Sequence, residues 1–372
     1  MNLTQRLAPL AAAVFLCTTA GATEWNVVKQ QGRDYVTVEN VAEFYHFGEY
    51  SHANRRISLR SDRRGIRAQV GTDEIYINGV RFFTCYPLLE RADANLISAT
   101  DVGKIIEPVL RPSRIQNAQQ VETVILDPGH GGTDQGTANQ WGSEKAFALD
   151  VALTAREQLL RTGFKVEMTR TADTGISLEE RVEFANRFPN AVFVSIHFNS
   201  GSGGAGVESY RLAPDGVVSN ASTGEYHASA TDAQPDEGNA QDPQNIALSA
   251  AIHAAVLSRA AAFDRGVRHG RFKVLRHIRM PAVLLEAGFL NDPAEGQRIA
   301  TMQYRQQLGL AIAQGVQSYN AAVNYRAPDS SFAVVQANLP AHTHSITEPL
   351  HLESSRPPAP PEKPSLSING GQ

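Results

Sequence analysis

Three side chains with metal-binding donor atoms stand where a predicted strand or helix meets a loop. His130 follows an apolar strand on a glycine-rich loop, Glu144 opens a helix, and His197 ends another apolar strand. Two imidazoles and a carboxylate can form a catalytic zinc site, in which three protein ligands leave a fourth position open to water. Each residue also has an ordinary interpretation, as a loop histidine facing water, a glutamate favoured at a helix N-terminus or a histidine at a sheet rim. Because all three fall on one predicted edge of the sheet, we interpret them as a site for one metal ion.

Glu286 is a fourth candidate for chemistry. It directly follows the apolar run 282–285, where a carboxylate without a partner is costly to bury. One interpretation is a buried ion pair with one of the many arginines. The other is a general base beside a metal ion, in a site dry enough to raise its basicity. The residues alone leave both open.

The elements that must position these residues alternate between strand and helix over residues 121–320. Such alternation predicts an α/β sheet with helices on its faces, and ligands bind at the carboxyl ends of strands in open α/β sheets. After the strand that ends at Asp127, the pattern predicts strands at 164–169, 191–197, 207–212, 274–275 and 282–285. It predicts helices from Ser143, as the N-cap, to about Arg161, and over 178–187, 244–262 and 294–319.

Residues 24–112 predict a small α+β domain rich in short strands. Alternating apolar residues predict strands at 35–38, 57–60 and 66–70, a helix near 41–47, and a hairpin at 75–82 with an Asn-Gly turn. This region is also rich in arginine, at Arg55, Arg56, Arg60, Arg63, Arg64 and Arg67. These arginines form either the solvated face of a hairpin or a contact surface for anionic wall polymers.

The first 22 residues predict a secretory signal peptide. A basic start, an apolar run from Leu7 to Leu16 and an Ala-Gly-Ala sequence fit such a leader, so we expect an exported protein that is periplasmic, wall-associated or secreted. A lipid anchor on Cys17 is the alternative, although the bulky Leu16 argues against it. Cleavage after Ala22 would leave Cys85 without a disulfide partner.

Three other regions of the chain lack a folding pattern. Residues 113–120 are polar and predict a linker, and residues 326–372 are rich in Pro, Ser and His and predict a disordered tail. Residues 214–241 predict a long mobile surface loop.

The length of 372 residues suits two domains, and the net charge of −4 does not select a partner. We expect no membrane span and no nucleic-acid partner.

Five motifs together resemble the zinc-dependent N-acetylmuramoyl-L-alanine amidases of the cell-separation, sporulation and autolytic types. They are DPGHGGTDQG, GSEK, SLEERVEFAN, VSIHFNS and RGVRHGRFKVLRHIRMPAVLLEAGFLND. The resemblance covers residues 121–320. It implies a mixed, mostly parallel sheet flanked by helices, Zn²⁺ held by His130, Glu144 and His197, and Glu286 as the catalytic glutamate. Residues 24–112 are loosely similar to copper-amine-oxidase N-terminal-like domains, without a copper ligand cluster.

The resemblance also implies a reaction. The substrate would be peptidoglycan, cut at the amide between the lactyl group of N-acetylmuramic acid and L-alanine. Asp134 and Asn199 are candidates for orienting the metal ligands, and Arg181 for a structural pair with a carboxylate. Cell-separation amidases carry a helix that covers the zinc, whereas the loop 214–241 has no helical period. We therefore expect residues 121–320 to be active without a partner, and the sequence identifies no regulator.

Two other functions compete with the amidase. The chain could be a wall-binding protein that anchors without cutting, or a zinc peptidase that cuts within the stem peptide. Occupation of all four chemical positions disfavours the first. The products separate the second, because only an amidase releases stem peptides that begin with L-alanine.

Overall fold

The structure is a computed structural model that describes residues 25–92, 94–201, 204–220 and 234–325. They form two compact units, one of residues 25–79 and 84–103 and the other of residues 80–83 and 104–325. The predicted signal peptide and tail lie outside the described residues. Within the described part of the chain, every helix is too short or too polar to cross a lipid bilayer.

Short strands dominate the first hundred residues, and the long helices come later. The strands are β1 (Val27–Gln30), β2 (Arg33–Thr37), β3 (Glu49–Ala53), β4 (Arg56–Arg60), β5 (Gly65–Gln69), β6 (Glu74–Ile77), β7 (Val80–Phe83), β8 (Leu89–Glu90), β9 (Asn95–Ser98), β10 (Thr123–Pro128), β11 (Ala138–Asn139), β12 (Gly142–Ser143), β13 (Lys165–Met168), β14 (Ala191–Asn199), β15 (Val207–Leu212), β16 (Asp264–Gly270) and β17 (Ala282–Phe289). The α-helices are α1 (Val38–Phe44), α2 (Ala99–Asp101), α3 (Glu107–Leu110), α4 (Glu144–Arg161), α5 (Leu178–Ala185), α6 (Asp242–Ala260), α7 (Lys273–Arg276), α8 (Pro293–Ala300) and α9 (Met302–Asn324). A π-helical turn follows α2 at Val102–Ile106, and short 3₁₀ helices lie at Pro112–Arg114 and Glu237–Gln241.

The first unit is rich in antiparallel strands. One sheet has the order β1-β2-β9-β8, and β3, β4, β5 and β6 pair as an antiparallel meander. Ile57, Leu59 and Ile66 point into the core, while the intervening positions of β4 and β5 are more exposed. This period of two is what a half-buried antiparallel sheet requires, and the predicted strand-rich first unit is confirmed.

The strands of the second unit pair in the order β13-β10-β14-β17-β15-β16-β7. The strands β13, β10, β14 and β17 are parallel, whereas β15 runs antiparallel to β17 and parallel to β16. The predicted mixed, mostly parallel sheet flanked by helices is confirmed. Its parallel strands place their carboxyl ends along one edge, where the candidate site lies.

Both faces of this sheet are buried, which explains the continuously apolar strands. Val124 and Leu126 of β10 pack in one core with residues of α4, α6 and α9. Ile125 and Phe193 belong to a second core that includes residues of α5 and α7.

The structure differs from several of the sequence predictions. The predicted strand 274–275 lies in the helix α7, and the predicted helix 294–319 is divided into α8 and α9. Thr301 causes the division, because its side chain accepts a hydrogen bond from Tyr304 N and caps a new helix. Strand β16 was not predicted, and neither was its pairing with β7 in the second unit.

Candidate metal centre

Two buried arginines hold the loop that carries His130. Arg170 donates hydrogen bonds to the carbonyl oxygens of Pro128 (2.9 Å) and Gly129 (2.7 Å). Arg181 donates to the carbonyl of His130 at 2.7 Å. His130 itself has a left-handed backbone with φ of 58°, which is unusual for a residue with a side chain. The two guanidinium groups therefore fix a backbone turn that a free loop would rarely adopt.

Asp127 anchors this support at the end of β10. Its fully buried carboxylate accepts hydrogen bonds from Thr169 Oγ1 and Ser195 Oγ, both at 2.7 Å, and forms an ion pair with Arg181. The predicted carboxylate pair of Arg181 is thus confirmed. The importance of Arg170 was missed, since its partners are backbone carbonyls that the sequence does not identify.

Removing the Arg181 guanidinium should destabilise the protein strongly. Arg181→Met leaves Asp127 buried without its cation, and breaking a buried pair in this way costs about 3–5 kcal/mol. Urea denaturation in the presence of a chelator measures this loss independently of any metal. Arg156→Met, at an exposed position on α4, is the matched control and should change the free energy of unfolding by under about 0.5 kcal/mol. Equal effects of the two substitutions would contradict the role given to Arg181.

Glu144 enters the site from the small β11–β12 hairpin. Its carboxylate accepts hydrogen bonds from Thr137 N through Oε2 (2.9 Å) and from Phe198 N through Oε1 (3.1 Å). Ser143 precedes the helix as predicted, but its side chain makes no capping hydrogen bond. The backbone N–H of Glu144 instead donates to the carbonyl of Thr137 at 2.7 Å. A backbone group just before the hairpin therefore provides the hydrogen bond at the start of the helix.

The structure brings His130, Glu144 and His197 together. One carboxylate oxygen, Glu144 Oε1, lies 2.9 Å from His130 Nε2 and 2.9 Å from His197 Nδ1, and the three donor atoms all fall within 4.8 Å of one another. The second nitrogen of His130 lies 2.8 Å from Asp134 Oδ2. Asp134 thus has the orienting contact that was predicted for it.

Close packing and charge both favour a cation among these donors. Burial alone would raise the pKa of Glu144, but hydrogen bonds and charges from the two imidazoles lower it. A Cβ atom on Gly129 would lie 2.3 Å from the His197 ring, and one on Gly136 would lie 2.5 Å from Glu144 Oε2. Glycine at these two positions therefore lets the backbone approach the three donors closely.

Glu286 lies beside this cluster on β17. It is the register partner of His197 on one side and of Glu208 on the other. Its Oε2 atom is buried without a hydrogen-bond partner, and among the described residues no arginine or lysine forms an ion pair with it. Burial, followed by the negative charges of Glu144 and Glu208, raises the pKa of Glu286. The arrangement suits a proton acceptor better than the structural ion pair.

Glu208 is a buried residue of the site that sequence reasoning missed. Its Oε1 lies 2.9 Å from Arg265 Nε, and its Oε2 accepts hydrogen bonds from Tyr210 Oη (2.9 Å) and Asn199 Nδ2 (3.1 Å). Asn199 therefore contacts Glu208, whereas we predicted that it orients a metal ligand. The sequence signal for Glu208 is weaker than for Glu286, because the strand β15 also contains Ser209 and Arg211.

The described ends of the loop 214–241 are not free. Asp236 forms ion pairs with Arg271 and Arg276, and Glu237 pairs with Arg279. These ion pairs connect this end of the loop to residues 271–279, and the three-donor cluster contains neither carboxylate. Residues 221–233, including Glu225 and Asp232, lie outside the described residues.

The chain matches known amidases over the segment that carries this site. A family model described as "N-acetylmuramoyl-L-alanine amidase" matches residues 124–318. The "Sporulation-specific N-acetylmuramoyl-L-alanine amidase" of Bacillus subtilis (strain 168) is 32% identical over 200 residues, which cover 53% of this chain and 68% of that protein. The "Probable cell wall amidase LytH" of Staphylococcus aureus is 31% identical over 212 residues, which cover 56% of this chain and 61% of that protein.

Solved amidase structures are also similar to this chain. The N-acetylmuramoyl-L-alanine amidase of Clostridium difficile 630 is 33% identical, with a TM-score of 0.43, and the match covers 54% of this chain and 97% of that one. The family model spans more than half of the chain, and the sporulation-specific relative aligns over two thirds of its own length. The chain therefore belongs to the N-acetylmuramoyl-L-alanine amidase family and is an enzyme of that class.

Proposed function

We propose that this amidase uses one zinc ion to hydrolyse the amide between the lactyl group of N-acetylmuramic acid and the L-alanine of the peptidoglycan stem peptide. The main observation behind this proposal is that three donor atoms lie within 4.8 Å of one another. Glu286 is next to them, as the register partner of His197. The family supports the choice of the bond that is cut, and the donor cluster supports the zinc dependence.

The donor set fits zinc. His130, Glu144 and His197 offer two nitrogens and one oxygen, the set that a catalytic zinc site with an open position uses. The Asp134 carboxylate on the other nitrogen of His130 fixes the orientation of that ring, as partners of metal-binding histidines do. A bound Zn²⁺ ion would polarise the scissile carbonyl and increase the acidity of a water molecule.

Glu286 performs the proton transfers in this proposal. Its carboxylate accepts the proton of the attacking water as the new C–O bond forms at the lactyl carbon. It then donates that proton to the alanine nitrogen as the C–N bond breaks, so a lactyl carboxylic acid and a free amine leave the site. Its buried, unpartnered Oε2 atom supports this role, because a base that lacks a permanent partner keeps its capacity to bind the proton.

We place the enzyme outside the cytoplasmic membrane, where peptidoglycan lies. The leader-like residues 1–22, which are outside the described part of the chain, support export. Its role would be wall remodelling, daughter-cell separation or autolysis. A relative named for the cell wall supports the general assignment.

Digestion of purified sacculi tests the activity, its metal dependence and the two competing functions together. We expect the full chain to release soluble stem peptides that start with L-alanine, to lose this activity with a chelator, and to regain it with added zinc. Mass spectrometry of the products checks the bond. Release of shorter peptides would identify a stem-peptide peptidase, and binding without any release would identify an anchoring protein.

We further propose that the first unit binds anionic wall polymers through one face of its meander. Arg56, Arg60 and Arg67 share the outward face of β4 and β5, because Ser58 between the first two is the register partner of Arg67. The Arg67 guanidinium lies 5.4 Å from the centroid of the Tyr76 ring. A basic face with an aromatic neighbour suits a polyanion with apolar surface.

Sacculus binding should weaken when this face loses charge. The triple substitution of Arg56, Arg60 and Arg67 by Ser is made in full-length Glu286→Gln, so that the sacculi stay intact during pull-down. We expect weaker binding, with the largest difference at low salt, where charges are least screened.

The matched control replaces Arg156, Arg161 and Arg259, which lie on helices of the second unit, by Ser. Equal loss in both triple variants would reject a specific role for the arginine face. A fragment that starts at Val121 cannot replace these variants, because it also lacks β7, which is a strand of the second unit.

A further inference from the structure

A cleft of about 390 Å³ lies at the amino ends of the central strands in the second unit. It is lined by Val121, Ala191 and Pro281, each of which lies at the first residue of β10, β14 or β17 or within two residues before it. The candidate metal centre lies towards the opposite ends of the same strands. Ala191 and His197 are six positions apart along β14, a distance of roughly 20 Å at the rise of a strand. The cleft is therefore separate from the catalytic site.

The wall of the cleft is polar and carries positive charge. Six of its sixteen lining residues have side-chain amides, two are arginines, Arg187 and Arg279, and none is acidic. Such a lining favours a neutral or anionic ligand with several hydrogen-bonding groups. The volume also falls in the range of ligand sites in proteins.

The side chain of Gln244, in the wall of the cleft, has a hydrogen-bond acceptor without a donor. This residue of α6 is only 6% exposed, it lines the cleft, and its Oε1 atom is buried without a partner. A buried acceptor without a donor destabilises the protein. Its neighbour Asn186, in contrast, is satisfied by the His277 carbonyl and by Arg279 N. A ligand N–H would supply the donor that Gln244 lacks.

The aromatic residues of the cleft argue against a sugar. Phe188 packs against Phe184, with ring centroids 5.3 Å apart, and Tyr319 is only 2% exposed. Tyr319 thus offers no open face on which a sugar ring could stack, and Phe184 covers one side of Phe188. Side-chain amides that donate and accept hydrogen bonds, together with guanidinium groups, instead match a peptide backbone and its terminal carboxylate.

We propose that this cleft is a second, non-catalytic site that binds a short peptide ending in a free carboxylate. A peptide N–H donates to Gln244 Oε1, and the carboxylate lies at Arg187 and Arg279. The Arg279 Nε atom already donates to Glu237, so this arginine also ties the cleft to the described end of the loop 214–241. Peptides of this class are what amide hydrolysis of peptidoglycan releases, and only this choice of peptide depends on the proposed function.

Calorimetric titration of the full chain, kept metal-free with a chelator, tests the cleft without any turnover. The probes are a stem tetrapeptide, its C-terminal amide, a tetrapeptide of unrelated sequence, and N-acetylmuramic acid. We expect the stem tetrapeptide to bind and its amide to bind roughly ten- to a hundred-fold more weakly, the usual effect of losing hydrogen bonds to a charged group. Tighter binding of the stem peptide than of the unrelated peptide identifies a site for wall peptides, and equal binding identifies a site for any peptide with a free carboxylate.

Three single variants locate the binding. Gln244→Met removes the unpartnered acceptor at similar volume, Arg187→Gln removes an exposed charge with little risk to folding, and Arg156→Gln is the control away from the cleft. The first two should weaken peptide binding roughly tenfold or more, and the control should leave it unchanged. Unchanged affinity in both cleft variants, or binding of N-acetylmuramic acid alone, would overturn the proposal. Loss of hydrolysis on sacculi would concern the catalytic proposal only, since these titrations involve no catalysis.

Discussion

Glu286→Gln is expected to lower amide hydrolysis roughly a hundred- to ten-thousand-fold, the usual effect of losing a general base. The amide has nearly the size of the carboxylate but cannot accept the proton of the attacking water. Because Glu286 lies outside the three-donor cluster, zinc should stay bound at one ion per chain. Steady-state kinetics on a soluble muropeptide measures the first quantity, and elemental analysis of the dialysed protein measures the second.

The stability of the same variant distinguishes a catalytic from a structural residue. The Oε2 atom of the half-buried Glu286 is buried without a partner, so a neutral side chain there should leave the thermal midpoint unchanged or raise it. Glu183→Gln, at an exposed position on α5, is the control and should keep full activity. Loss of metal from Glu286→Gln would make this residue a ligand, and a large fall in its thermal midpoint would make it structural.

Strands buried on both faces could be predicted from the sequence, and those that depend on their neighbours could not. β10 and β14 are continuous apolar runs, the pattern of a central parallel strand. β16 contains two glycines and several polar residues, and its pairing with β15 is a long-range interaction without a local signal. Its Asp264 carboxylate is satisfied by His253, 2.9 Å away, and by the backbone of Arg81.

The helix errors have a similar origin. Val274 and Leu275 are two apolar residues in a row, too few to distinguish a strand from a turn of helix. Both are buried, and packing in the core with Tyr210 and Leu284 accompanies the single helical turn. Thr301, in contrast, is a capping residue that the sequence displays, and the apolar period across it concealed the break.

The clustering of the three donor residues could be predicted because each occupies a junction between elements. His130, Glu144 and His197 are far apart in the chain, yet parallel strands bring their junctions to one sheet edge. The residues that hold them could not be predicted in the same way. Arg170 acts on backbone carbonyls, and Glu208 gains its meaning only from its register with Glu286.

Loss of one histidine from the cluster should remove the metal. His130→Ala or His197→Ala leaves two protein ligands, too few for a catalytic zinc site that normally uses three. We expect the zinc content of each variant to fall well below one per chain and hydrolysis to fall with it. Elemental analysis after dialysis at fixed free zinc makes the comparison quantitative.

A graded series of variants distinguishes ligation from a general loss of structure. His277→Ala, at an exposed position, should keep its zinc. Asp134→Asn keeps all three donors and alters only the group 2.8 Å from His130 Nδ1, so zinc affinity should fall by roughly ten- to a hundred-fold, between the control and the ligand variants. Full zinc occupancy in both histidine-to-alanine variants would reject the assignment. A ligand should contribute most to zinc binding, its orienting partner less, and a surface histidine least. Equal loss of zinc in all four variants would therefore indicate general instability.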